Sequence, residues 1–329
     1  MKVLFLGGTG LMGSVVGELL TQDPTNELTI VHRGHTAPNV SGKNVRVLHA
    51  DIRDTAALRG VLKNERFDVV VDWVVWNTGN LQSDIDFFGD NLGQFVFISS
   101  ASAYQKPLQH YKITESTPLV NPYWEYSRNK AACERLLETS GLPYTIVRPS
   151  HTYGYGKIPF PIGCNKDWTP IQRILDGKPV VVPGDGTSLW TTTYHTDFAR
   201  GMVGLLGQRR ALGQAFHITS DEAITWNNIV NTIGHAVGVE PKLIALPSKL
   251  IEKKLPGQVG GLLGDKAESV VFDNSKLKDF VPGYKAEVTF AEGVRKCLSY
   301  WDTHEKEIDE QYNRDMDMLT DLAEKIYAL

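Results

Sequence analysis

Tyr126 and Lys130 stand four residues apart in "YWEYSRNKAACE", residues 123–134. On a helix that spacing puts two side chains on one face. An ammonium held beside a phenol favours the phenolate and lowers a pKa that starts near ~10, so such a tyrosine can serve as an acid or base near neutrality. The same spacing recurs at Tyr153 and Lys157, but "GYG" lies between them and Ile158-Pro159 follows, a combination that does not hold a helical turn. The segment "EYSRNKAACERLLETSG" has good helix formers and stops at Gly141, so only Tyr126 and Lys130 are expected to share a helix face. Just upstream, "FVFISSASAY" offers the hydroxyls of Ser99, Ser100 and Ser102 at the end of an expected strand, where ligands of a parallel sheet are bound.

The elements that must position this pair begin at the N-terminus. "LFLGGTGLMGSVVGELL" sets Gly7, Gly10 and Gly13 directly after a strand and at the start of a helix. Glycine there allows a tight turn, backbone contact with a pyrophosphate and close helix–strand packing, with the helix N-terminus facing the anion. Gly7, Thr9, Gly10, Leu11, Met12 and Gly13 are therefore the expected dinucleotide cradle. The second strand ends "VHRGH", with Arg33 and no acid, which favours the 2′-phosphate of NADP and leaves NAD possible. Asp51 and Ile52, in "HADIRD" after the third strand, are expected beside the adenine, although Asp51 serves equally well as a cap for the next helix.

Short apolar runs alternate with helical stretches from residue 2 to about 150: "KVLFLG", "LTIVHR", "VRVLHA", "FDVVVDWVV", "QFVFISS" and "PYTIVRPS". Runs apolar throughout suit strands buried on both faces, and the alternation implies βαβ units. The expected fold is α/β, a doubly wound parallel-sheet Rossmann domain with a smaller, discontinuous C-terminal substrate domain. The first comprises residues 1–152 and 191–220, where a helix at 194–207 and a strand at 214–220 return to the sheet; the second comprises 153–190 and 221–329. At the C-terminus Ile308, Tyr312, Met316, Leu319, Leu322 and Ile326 recur at helical spacing and form one amphipathic helix that packs on its own domain or a partner chain.

A chain of 329 residues with net charge −4 has no basic excess, so nucleic acid is not an expected partner; a small-molecule substrate is. Cys133, Cys164 and Cys297 are far apart and outside any C-x-x-C pattern, so neither a disulfide framework nor a metal site is expected. The start "MKVLFLGGTG" is too short for a signal sequence and no apolar run reaches the ~20 residues that span a bilayer, so a cytoplasmic, membrane-free location is expected.

"GGTGLMG", "FVFISSASAY", "YSRNK", "YTIVRPSHTYG" and "YHTDFARG", in this order, resemble the extended short-chain dehydrogenase/reductase superfamily, in particular its NAD-dependent epimerase/dehydratase group. The resemblance implies that Gly7, Gly10 and Gly13 line the pyrophosphate and that Tyr126 is the general acid/base. It also implies that Lys130 binds the nicotinamide ribose and tunes the tyrosine, and that Ser100 is the hydroxyl partner. The implied chemistry is hydride transfer at an oxygen-bearing carbon, as net oxidation or reduction or as a transient step in epimerisation or dehydration. A homodimer through the helices around the Tyr–Lys segment is implied as well. Trp76, Ser102, His151 and Tyr153 are the expected substrate contacts.

The departures concern the substrate. Ala101 and Ser102 stand where dehydratases of the group carry acids, His151 where an Asn is usual, and Thr191 where an Arg is usual; no arginine lies between Arg210 and Arg295. Arginine is the natural fork for a diphosphate, so a typical sugar nucleotide is not the expected substrate. Trp73 and Trp76 replace small residues after the fourth strand, and with Tyr123 and Trp124 could form an aromatic mouth, Trp73 more readily serving as core. His195 reads as structural. The chain is also similar to chloroplast stem-loop RNA-binding proteins, which leaves a non-enzymatic nucleotide-sensing or RNA-binding role as the alternative.

Overall fold

The computed structural model describes every residue except Ala37, Asn64, Asp90 and Leu329, the last of which ends the expected C-terminal helical stretch and lies outside the described residues. Seven parallel strands form the central sheet. In chain order the elements are β1 (Lys2–Leu6), α1 (Leu11–Thr21), β2 (Glu27–His32), β3 (Val45–His49), α2 (Thr55–Leu62), β4 (Phe67–Asp72), α3 (Thr78–Phe88), β5 (Leu92–Ile98), α4 (Glu125–Glu138), β6 (Tyr144–Pro149), α5 (His195–Leu205) and β7 (Gln214–Ile218). The strand order is β7-β6-β5-β4-β1-β2-β3, and it reverses direction between β1 and β4. A crevice opens at that reversal, above the carboxyl ends of the strands.

Alternate residues of each strand point to opposite faces, and here both faces are apolar. Val3 and Phe5 pack with Val15 and Leu20 of α1 and Phe198 and Met202 of α5 on one side. Leu4 and Leu6 pack with Leu58 of α2, Leu81 of α3 and Leu137 of α4 on the other. The sheet is thus doubly wound. The edge strand β3 departs from the expectation of burial on both faces: Arg46, Val47 and His49 are exposed, because an edge strand lacks a neighbour and a full helical cover.

One buried network fixes α4 against the sheet. Arg148 of β6 donates from Nε and Nη2 to Glu134 of α4 at 3.0 and 2.6 Å, and Ser99 donates a short hydrogen bond to the same carboxylate. Removing one partner of such a pair costs about 3–5 kcal/mol because it strands a buried charge. The network therefore holds the helix that carries Tyr126 and Lys130.

Beyond β6 the chain builds a second body from short paired strands and helices, with a core that includes Tyr153, Trp168, Trp190 and Trp226. The C-terminal helix α6 (Glu310–Tyr327) buries Tyr312, Met316 and Leu319 against Val181, Leu246 and Ile251 of its own chain, while Ile308 and Ile326 stay exposed. Among the described residues no helix is long and apolar enough to cross a membrane.

Candidate functional site

Two cavities share one tryptophan. The first, of about 460 Å³, lies over the glycine turn and is bordered by Gly7, Thr9, Arg33, Asp51, Ile52 and Trp76 among others. The second, of about 380 Å³, is bordered by Trp76, Ser100, Ser102, Tyr126, His151 and, unforeseen in the sequence, Asp265.

The turn between β1 and α1 fits a dinucleotide. Gly7 and Gly8 adopt φ of +78° and +81°, the left-handed region that side chains avoid. A Cβ on Gly10 would meet nothing within 4 Å, so that backbone faces open space, and no side chain caps the helix that starts there. The amide groups of the first turn are left for an anion. Gly10 and Leu11 border an adjoining groove, whereas the Met12 side chain packs on the core, leaving only its backbone available. Gly13 faces inward: a Cβ there would sit 2.4 Å from Gly8 Cα, so its function is contact between helix and turn. His32, which borders the first cavity, accepts a hydrogen bond at Nδ1 from Gly34 N, while its Nε2 is buried without a partner. A buried orphan donor in a cavity wall is what a bound polar ligand would satisfy.

Arg33 is exposed at this cavity, as the end of β2 requires. Asp51 does not cap the next helix; Asp54 does, accepting from the amides of Ala56 and Ala57. Arg53, absent from the sequence reading, borders the cavity and pairs with Asp72 and Asp84 at 2.8 and 2.9 Å.

Tyr126 and Lys130 lie on α4 as their spacing predicts. Tyr126 is flanked by Trp124 and Trp76, with ring centroids 4.9 and 6.2 Å away. The Lys130 ammonium sits 5.7 Å from the Tyr126 ring centre and donates to the carbonyls of Val75 and Ile98 at 2.6 and 2.8 Å. The expected lowering of the tyrosine is not found in this state. Burial holds the Tyr126 phenol above its ordinary value, and the Ser100 hydroxyl opposes that shift. Burial also brings Lys130 down to about 8. Lys130 is spent on carbonyls rather than on the phenol, which is the physical reason for the difference.

The Ser100 hydroxyl lies 2.9 Å from that of Ser102, which accepts in turn from Ser127 at 3.0 Å. Trp76 is 59% exposed and, with Trp124, forms the aromatic mouth; Tyr123 does not border the cavity, and Trp73 packs edge-on against Phe5 in the core. Tyr153 corrects the sequence reading. It is 1% exposed, packed among Tyr194 and Phe290, and borders neither cavity, because its strand turns it into the second core. Tyr153 and Lys157 flank a turn closed by Gly154 and Lys157, so they form no helical pair.

His195 is buried between Tyr155 and Tyr194 and makes no hydrogen bond at Nδ1. Burial, then the charge of Lys296, push it down to about 4. Its folded value lies below the unfolded ~6.5, so as pH falls through that window the unfolded chain takes up the proton first and stability drops. His195→Phe should flatten this drop by about 2–3 kcal/mol between about pH 7 and about pH 4.5, measured by urea unfolding. Parallel curves for parent and variant would refute the assignment.

A glycine turn at the switch point, a tyrosine and lysine on one helix face and a serine at the adjoining strand end define a Rossmann-type dinucleotide enzyme of the short-chain dehydrogenase/reductase class. The model of the NAD dependent epimerase/dehydratase family matches residues 3–219, and the chain belongs to that family. Among curated relatives, the "Chloroplast stem-loop binding protein of 41 kDa b, chloroplastic" of Arabidopsis thaliana is 25% identical over 74% of this chain, which spans 65% of that protein's length. The dTDP-glucose 4,6-dehydratase of Actinoplanes sp. is 24% identical over 92% of this chain and 98% of its own. A UDP-glucuronic acid 4-epimerase from Bacillus cereus, solved with UDP-glucuronic acid and NAD, superposes with a TM-score of 0.71 at 19% identity, covering 92% of this chain and 99% of that one.

Proposed function

We propose that this protein transfers hydride between a nicotinamide dinucleotide and an oxygen-bearing carbon of a small molecule other than a typical sugar nucleotide. The observation that carries the reading is the shared wall: Tyr126 and Ser100 border a cavity that meets, at Trp76, the cavity over the glycine turn. When bound, the dinucleotide supplies or accepts the hydride at its nicotinamide ring. Tyr126 then gives a proton to the substrate oxygen in reduction or takes it in oxidation, and Ser100 holds that oxygen by a hydrogen bond. Lys130 ties the loop that follows β4 to the end of β5 by donating to the carbonyls of Val75 and Ile98.

The test is a panel of hydroxylated carbonyl compounds incubated with deuterated NADPH or NADH. Label passing from the deuterated dinucleotide into product establishes net reduction, whereas an isomerised or dehydrated product formed with oxidised dinucleotide, and with no net change in NADPH or NADH, establishes a transient step. No nicotinamide binding, together with stem-loop RNA retained in a strongly salt-dependent way, would replace this reading by the RNA-binding one.

For the cofactor, the reading is NADP in preference to NAD, supported by Arg33 at the cavity edge and by a strand end without an acid. Arg33→Ala should weaken NADPH by about tenfold, the loss of one exposed charge-assisted contact, and leave NADH unchanged. Fluorescence titration decides it, and NADH binding much more tightly than NADPH to the parent would overturn the preference.

A further inference from the structure

We infer that the second cavity selects an uncharged, polyhydroxylated ring through Asp265 and turns away nucleotide diphosphates; this rests on the reading above, in which Tyr126 marks the reacting carbon. Asp265 belongs to a single helical turn, Leu262–Lys266, that the fold brings under the start of α4. Asn121 holds the two sides of the cavity together, its amide donating to Ser102 O at 2.8 Å and to Gly264 O at 2.6 Å. The turn and the start of α4 thus border one cavity, and the burial that raises the Tyr126 phenol is reinforced by the Asp265 charge. Among the described residues none donates a hydrogen bond to the Asp265 carboxylate.

The charges around the cavity decide what it accepts. Lys106 is buried and reaches the backbone oxygen of Asp265 at 3.5 Å, while Lys266 donates to Pro161 O at 3.0 Å; neither borders the cavity. His151 does border it, but burial and the charges of Lys266 and Lys157 hold its imidazole neutral, down to about 3. The charge presented to a ligand is thus the Asp265 carboxylate, largely ionised at neutral pH although burial lifts it to about 6. A diphosphate placed here would meet a like charge and no cation on the cavity wall, Lys157 and Lys266 lining an adjoining cavity beyond His151. An ammonium is not required either, because the charges of Lys106 and Lys266 already offset part of the burial cost of the carboxylate. What the carboxylate lacks is hydrogen-bond donors, and hydroxyl groups supply them. Trp76 and Trp124 beside Tyr126 offer flat faces for the C–H side of a sugar ring.

The full chain, saturated with NADPH, is titrated by calorimetry with methyl glucoside, glucosamine and UDP-glucose. Methyl glucoside is expected to bind at least tenfold more tightly than UDP-glucose, and Asp265→Ala to lose at least tenfold of that affinity. Asp265→Asn keeps the shape and removes the charge, so it should gain about tenfold for UDP-glucose, a change that misfolding cannot imitate. UDP-glucose binding more tightly than methyl glucoside to the parent, glucosamine exceeding methyl glucoside tenfold, or no sugar binding at all would overturn the inference. Any of these with intact NADPH binding leaves the hydride-transfer reading standing, whereas loss of NADPH binding by the parent removes both.

Discussion

Tyr126→Phe is expected to lower kcat for hydride transfer by about 10²–10⁴-fold, the usual contribution of a positioned acid or base. The aromatic ring is kept, so its packing against Trp124 and Trp76 survives, and the α4 anchor through Glu134 and Arg148 is untouched. Melting temperature and dinucleotide affinity should stay near those of the parent. Because burial keeps the phenol protonated through neutral pH, the parent should run best as a proton donor, in the direction of reduction. Steady-state kinetics on any compound that turns over settles the point, and an unchanged kcat would remove Tyr126 from the reaction.

The second large effect belongs to the glycine turn, where two neighbouring substitutions should fail in different ways. At Gly13 an added Cβ would lie 2.4 Å from Gly8 Cα and 2.4 Å from Gly8 O, backbone atoms that cannot swing aside. Gly13→Ala should therefore push α1 off β1 and cost about 3 kcal/mol or more, with dinucleotide binding lost alongside stability. At Gly10 the same methyl meets nothing within 4 Å, so Gly10→Ala should melt like the parent and lose only the close approach of the pyrophosphate. Calorimetric melting paired with NADPH titration separates the two, and a Gly13→Ala protein as stable as the parent would contradict the packing argument.

Much of this was readable from the sequence because the governing rules are local. Strands buried on both faces write themselves as mainly apolar runs, as β1, β2, β4, β5 and β6 do; β3 does not stay buried, since its edge position is decided by which strand comes to lie beside it. The Tyr126/Lys130 pair was legible from helix periodicity, and the rejection of Tyr153/Lys157 from glycine and proline chemistry. Tyr153 as a substrate contact was not decidable locally, because a three-residue strand carries no signal of which side faces a core built by Tyr194 and Phe290. Asp265 was invisible for a related reason. "GGLLGDKAES" reads as a polar, glycine-rich turn, and its carboxylate gains meaning only from a fold that carries it across more than a hundred residues to the cavity. The Arg53, Asp72 and Asp84 cluster joins a loop, a strand and a helix and likewise has no sequence spacing to betray it.

The placement of β7 has a consequence for how this chain comes into being. β6 pairs with β5 on one side and with Gln214–Ile218 on the other, and that last strand is made only after the whole segment that follows Pro149. While the chain emerges from the ribosome, six strands are complete and the outer edge of β6, Thr145 to Pro149, has its hydrogen-bonding groups unmet. An open parallel edge is a template for the wrong partner. The nascent protein thus passes through a stretch of synthesis in which its largest sheet is one strand short, and the interval is set by the length of chain inserted between β6 and β7.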